Sequence, residues 1–147
     1  MTHEDAGKYA AKHPPGTRPD ERIAEAVRER SSDGGLACAL GEKISKELGV
    51  EIAAVGLTAD MLELKIKNCQ LGLFGWGDRP KHGKDIQAIG AVSADMKTAL
   101  EEAAPKGEIA CAAVWAIADR FKAKRKEVSG ACEALNIKIR KCQLGAF

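Results

Sequence analysis

Six aromatic residues in a chain of 147 (two Trp, one Tyr, three Phe) are too few to fill a core. The interior is therefore expected from Ala, Leu, Ile and Val, a set that suits helices. No run of eighteen apolar residues occurs, which leaves no candidate for a membrane-crossing helix. Met1-Thr2-His3-Glu4-Asp5 is acidic and polar where an export signal would be basic and then apolar. These absences lead us to expect a cytoplasmic protein with no membrane partner. Cys-x-x-Cys is also lacking, and five cysteines, an odd number, do not suggest a disulfide framework. No nucleophile, base and acid form a recognisable set. Gly72-x-x-Gly75-x-Gly77 lacks the Gly-Lys-Ser/Thr ending of a phosphate loop. Enzymatic activity is not expected.

What the chain does contain is a repeated stretch. Leu64-Lys65-Ile66-Lys67-Asn68-Cys69-Gln70-Leu71-Gly72-Leu73-Phe74 returns 73 positions later as Ile137-Lys138-Ile139-Arg140-Lys141-Cys142-Gln143-Leu144-Gly145-Ala146-Phe147. Over 34–74 against 107–147, 14 of 41 ungapped positions are identical, which marks a tandem duplication. The expected organisation is an extended, proline-containing arm over 1–19 without a counterpart, repeat 1 over 20–74, a Gly/Pro/basic connector over 75–92, and repeat 2 over 93–147. Ile86 to Val92 is expected to form an additional strand.

Each repeat reads in the same order. A first helix spans roughly 20–31 and 94–104, with Asp20 and Glu21 in a first turn and Ser93 as an N-cap. A glycine and a short extended piece follow, then a second helix to about Leu48 and Phe121, with Ile44 and Leu48 (Ile117 and Phe121) on its inner face. The exchange of Leu40-Gly41 for Ala113-Val114 suggests a similar core volume in both copies. A third helix carries Val55, Ala59 and Leu62, or Val128, Cys132 and Leu135. The period then changes from 3.6 to 2, as Ile66 and Ile139 alternate with cations in a half-buried strand.

The corner between the second and third helices has an informative spacing. Ile44 precedes Gly49 by five residues and Val55 follows it by six. Such a glycine permits a left-handed turn. Ile117 and Val128 fit the same spacing around Lys122, where a lysine must accept positive φ or the turn must differ. This pattern resembles the helix-turn-helix of bacterial transcription regulators, and the full repeat resembles a winged-helix domain. The fold class expected is mainly α with short β-strands, as two tandem winged-helix-like repeats of three helices plus a small sheet. The resemblance implies DNA as a partner.

Charge assigns the expected contacts. Residues 20–78 carry 7 basic and 11 acidic side chains, residues 93–147 carry 10 and 7. A recognition helix needs donors near its start. Repeat 2 supplies Lys122, Lys124, Arg125 and Lys126, with Ser129 a turn later, where repeat 1 has Glu51, Ile52, Ala53 and Ala54. Arg79, Lys81 and Lys84 of the connector, with His82, form a candidate wing against the backbone. Repeat 1 is expected to serve a protein partner or homodimer.

Four cysteines pair under the offset: Cys38 with Cys111, and Cys69 with Cys142. Cys38 and Cys111 sit at the start of the second helix, where a thiolate is favoured. Clean alternation of the strand would place Cys69 and Cys142 on its lysine face, and a bulge at the next Gln would reverse this. Three readings stand side by side: apolar filler, a redox thiol pair in each repeat, or a metal site at Cys38, Cys69, Cys111 and Cys142. The three histidines lie outside the repeats. Cys132, replaced by Ala59 in repeat 1, reads as filler. A metal or redox sensor, or a protein-interaction module, is the alternative to DNA binding.

Overall fold

In the computed structural model, residues 8–77, 80–86 and 89–147 are described, residues 80 and 81 by their backbone only. The chain is mainly helical, with short strands in two small parallel sheets. The chain divides into two compact units. Unit 1 takes the chain up to Cys69 and adds Gln143–Phe147, whereas unit 2 is Gln70–Cys142. The division therefore lies at Cys69/Gln70 rather than after Phe74. Each Gln-Leu-Gly-x-Phe segment belongs to the unit that the other repeat builds.

Unit 1 contains a 3₁₀ turn (Tyr9–Lys12), α1 (Glu21–Arg30), β1 (Gly35–Ala37), α2 (Cys38–Leu48), α3 (Ile52–Met61) and β2 (Lys65–Lys67). Asp20 caps α1, its Oδ1 accepting from the backbone N–H of Arg22 at 2.8 Å and Ile23 at 3.2 Å. β1 and β2 pair in parallel with Leu36 opposite Ile66, an arrangement that needs a crossover, here α2 and α3. Ile23, Val27, Leu36, Ile44, Val55, Ala59, Ile66 and Leu144 form the buried apolar core. Leu144 fills the space that Gly41 leaves, since a β-carbon on Gly41 would lie 3.1 Å from Leu144 Cδ1. The exchange of bulk between Leu40-Gly41 and Ala113-Val114 thus has a local cause: in unit 1 the missing side chain is supplied by residue 144.

Unit 2 contains α4 (Pro80–Gly83), α5 (Ala94–Ala103), β3 (Glu108–Ala110), α6 (Cys111–Phe121), α7 (Arg125–Ala134) and β4 (Lys138–Arg140). Ser93 caps α5, accepting from Met96 N–H at 3.3 Å. β3 and β4 pair in parallel with Ile109 opposite Ile139. Leu71, Leu100, Val114, Val128, Ala131 and Cys132 are buried to within a few per cent. Ile86 and residues 89–92 lie in no strand, so the extra strand expected over 86–92 is not found among the described residues; 87 and 88 are outside them.

Backbone conformation keeps the duplication where side chains have diverged. Five pairs 73 positions apart are left-handed: Gly34 and Gly107, Gly49 and Lys122, Glu63 and Asn136, Asn68 and Lys141, Gly72 and Gly145. Three of these pairs are not identical residues. The conformation, which only glycine adopts without cost, is thus kept at positions where at least one copy has another residue.

The arm is bonded to the end of α3 and the residues after it. In unit 1, Tyr9 and Ala10 donate backbone N–H bonds of 2.9 Å to the Glu63 carboxylate, and His13 Nε2 lies 2.8 Å and Lys12 Nζ 3.2 Å from Asp60 Oδ2. In unit 2, α4 is followed by Lys84, whose Nζ lies 2.8 Å from Glu133 Oε1. Asp60 and Glu133 are 73 positions apart. Lys12, the last residue of the turn in unit 1, and Lys84, just after the turn in unit 2, thus reach matching positions of the third helix. No residue identity signals it, because the device needs only a turn and a positive charge at the right reach.

Candidate nucleic-acid interface

The corner between the second and third helices is built alike in both units. Gly49 has φ 64° and ψ 35°, and Lys122 has φ 53° and ψ 36°. Val50 N–H donates to Ser45 O at 3.1 Å, and Ala123 N–H to Ala118 O at 2.9 Å, the same bond shifted by 73 positions. Lys122 accepts the left-handed conformation. In unit 1 the Ser45 hydroxyl adds a 2.6 Å bond to Val50 O. Unit 2 adds a bond at the helix start, Glu127 Oε2 accepting from Lys124 N–H at 3.4 Å.

The cations expected at the start of the third helix divide into two groups. Lys122 and Lys124 are exposed, and neither ammonium group forms an ion pair with a described residue. Arg125 and Lys126 are half-buried and engaged within unit 2. The Arg125 guanidinium lies 3.6 Å from the centroid of the Trp115 ring, and its Nη1 donates to Gln70 Oε1 at 2.8 Å. Lys126 pairs with Asp85 and stands 3.9 Å above the Trp76 ring. A guanidinium stacked on tryptophan and bound to an amide cannot present the same fork to a guanine edge. Ser129, expected to face a nucleic acid one turn on, is 1% exposed and its hydroxyl has no hydrogen-bond partner among the described residues. It lies in the stretch Val128–Cys132 of α7, every residue of which is buried, and that placement removes it from the interface. Lys84 is committed to Glu133. Arg79 and the side chain of Lys81 lie outside the described residues.

Gln70, Trp76, Asp85 and Trp115 are the functional neighbours that sequence reasoning missed. Three of them precede α7 by 40 to 55 positions, and no periodic pattern couples a turn-rich connector to a distant helix start.

The cysteines are all thiols. Cys38 and Cys111 open α2 and α6, as expected. Alternation does not continue from β2 to Cys69: Asn68, with φ 51°, ends the extended run, and Cys69 is buried at 6% exposure rather than set out on the lysine face. Lys141 does the same with φ 64°, and Cys142 is half-buried. Cys111 N–H donates to Lys141 O at 3.3 Å, so the backbones carrying Cys111 and Cys142 are neighbours. Among the described residues no three His, Cys, Asp or Glu side chains gather to hold a metal ion. Cys38 and Cys69 belong to unit 1, and Cys111 and Cys142 to unit 2.

Burial pushes the Cys132 thiol up from 9.0 to about 11; its own backbone hydrogen bond opposes this and the Glu133 charge adds to it. The raised value means that the folded state holds this proton more tightly than the unfolded chain does. Its contribution to stability is therefore complete below about pH 9 and declines as pH rises to about 11. Alkylation of the native protein at pH 8, mapped by mass spectrometry, is expected to modify Cys142 and spare Cys132. Early labelling of Cys132 would contradict the burial.

No family model, curated protein or solved structure matches the chain. No helix among the described residues is long and apolar enough to cross a membrane.

Proposed function

We propose that the chain is a DNA-binding regulatory or accessory protein whose two units are winged-helix-like and whose contact with the duplex is made to phosphates by the corner of unit 2. The observation that carries this reading is the pair of exposed cations Lys122 and Lys124, which pair with no acidic group among the described residues and are set at the turn and first boundary of α7. Phosphate oxygens need only a cation or N–H within reach, and the start of a helix adds its unbonded N–H groups. Arg125 and Lys126, held by Trp115, Gln70, Asp85 and Trp76, support the corner rather than read bases. Unit 1, with Gly49 and Glu51 at the matching positions, repels a phosphate backbone and is assigned to a protein partner.

Lys122→Gly with Lys124→Ser tests this without harming the fold. Glycine is the residue of the matching unit 1 turn, and serine is a better N-cap than lysine. Duplex DNA titrated at several salt concentrations should show affinity falling steeply with salt. The double variant should lose about 2 from the slope of log K against log salt, roughly 0.9 for each phosphate contact. An unchanged slope in a variant that melts no lower than the parent excludes this interface.

A further inference from the structure

Residues 143–147 occupy a built groove in unit 1. Leu144 is 2% exposed, and Ala146 is buried beside it in the chain. The groove is shaped by absent side chains on two helices. On α2, Gly41 admits the Leu144 side chain at 3.1 Å from where its own β-carbon would be; on α3, a β-carbon on Gly56 would lie 2.1 Å from the Leu144 carbonyl oxygen. From the arm, Lys12 Nζ donates to Gly145 O at 3.0 Å. Gly145 itself is left-handed, with φ 75°. Buried leucine, close backbone approach, a capped carbonyl and a glycine bend are features of a specific peptide site.

The groove is also particular to this segment. The positions matching Gly41 and Gly56 in unit 2 are Val114 and Ser129, so the backbone of Leu71 cannot approach α7 as the backbone of Leu144 approaches α3. The groove that receives Leu144 in unit 1 therefore has no copy in unit 2.

We infer that this groove is a peptide-docking site whose second occupant is the same segment, Gln143–Phe147, of another copy of this chain. The segment reaches the groove from β4, which the other repeat builds, and every contact it makes there would be reproduced by an identical segment from a second molecule. Within one chain the local concentration of the attached segment keeps the groove filled. Exchange between copies follows wherever that attachment is weakened.

Two complementary variants of the full chain provide the test. Leu144→Asp has a defective segment and an intact groove; Gly56→Val has a blocked groove and an intact segment. Each alone should sediment as a monomer, and mixed at about 100 μM they should form a one-to-one complex, since only one functional groove and one functional segment are present. The peptide Gln-Leu-Gly-Ala-Phe, fluorescently labelled, should bind Leu144→Asp saturably and at least tenfold more tightly than the same peptide with Asp at its leucine. Where circular dichroism shows either variant unfolded, Leu144→Ala and Gly56→Ala replace them. No peptide binding to a folded segment-defective variant overturns the site. Peptide binding without association of the two variants overturns the second copy as occupant and assigns the groove to another protein's segment.

Discussion

Gly56→Ala is expected to destabilise unit 1 by about 3 kcal/mol, near the upper end for overpacking. The added carbon would sit 2.1 Å from the Leu144 carbonyl oxygen and 2.6 Å from its carbonyl carbon. Both are backbone atoms, so no rotamer change relieves the clash; the segment must shift or leave. In an unobstructed helix the same substitution would stabilise by about 1 kcal/mol, which gives the sign of the result diagnostic value. Urea unfolding followed by circular dichroism measures it. Gly90→Ala is the control, because nothing lies within 4 Å of its β-carbon position, and it should leave the midpoint unchanged. A Gly56→Ala protein as stable as the parent would mean that Leu144 does not approach α3 in this way.

Trp115→Ala is expected to cost about 3 kcal/mol or more, the usual range for truncating a buried tryptophan. Trp115 is 9% exposed, and its Nε1 has no hydrogen-bond partner among the described residues, so the loss is one of packing and of the platform under Arg125. Trp115→Phe keeps a ring and gives up no hydrogen bond that the indole makes to a described residue. It should therefore recover most of the lost stability. Equal losses in the two variants would show that the stacked guanidinium contributes nothing that depends on the ring. Because Arg125 also binds Gln70, Gln70→Ala should lower stability by about 2 kcal/mol, in the range of a hydrogen bond to a charged group.

Much of the fold could be read from the residues. The first helices begin within about a residue of the expected start, because Asp20 and Ser93 are strong N-caps. The corner was legible from the Ile44–Gly49–Val55 spacing, and its second copy was legible even with lysine at the turn. The strand was legible only as far as Lys67 and Arg140; beyond it, Asn68 and Lys141 turn left-handed and end the alternation on which the cysteine directions depended. Two features gave no signal. A repeated tail reads the same whether it packs on the unit before it or the other one, since the apolar pattern of Gln-Leu-Gly-x-Phe is identical in either case. The engagement of Arg125 and Lys126 depends on Gln70, Trp76 and Asp85, which no local rule connects to a helix start far along the chain.

The crossed membership of the two closing segments has a consequence during synthesis. Domains commonly fold in the order in which they leave the ribosome. Here unit 1, made first, lacks Leu144 until nearly the whole of this sequence has been translated, whereas unit 2 receives Leu71 before its own helices exist. The earlier half of the message therefore encodes the unit that finishes later. A stop codon at position 143 would leave every residue up to Cys142 of unit 2 in place and would damage unit 1, whose main span ends at Cys69.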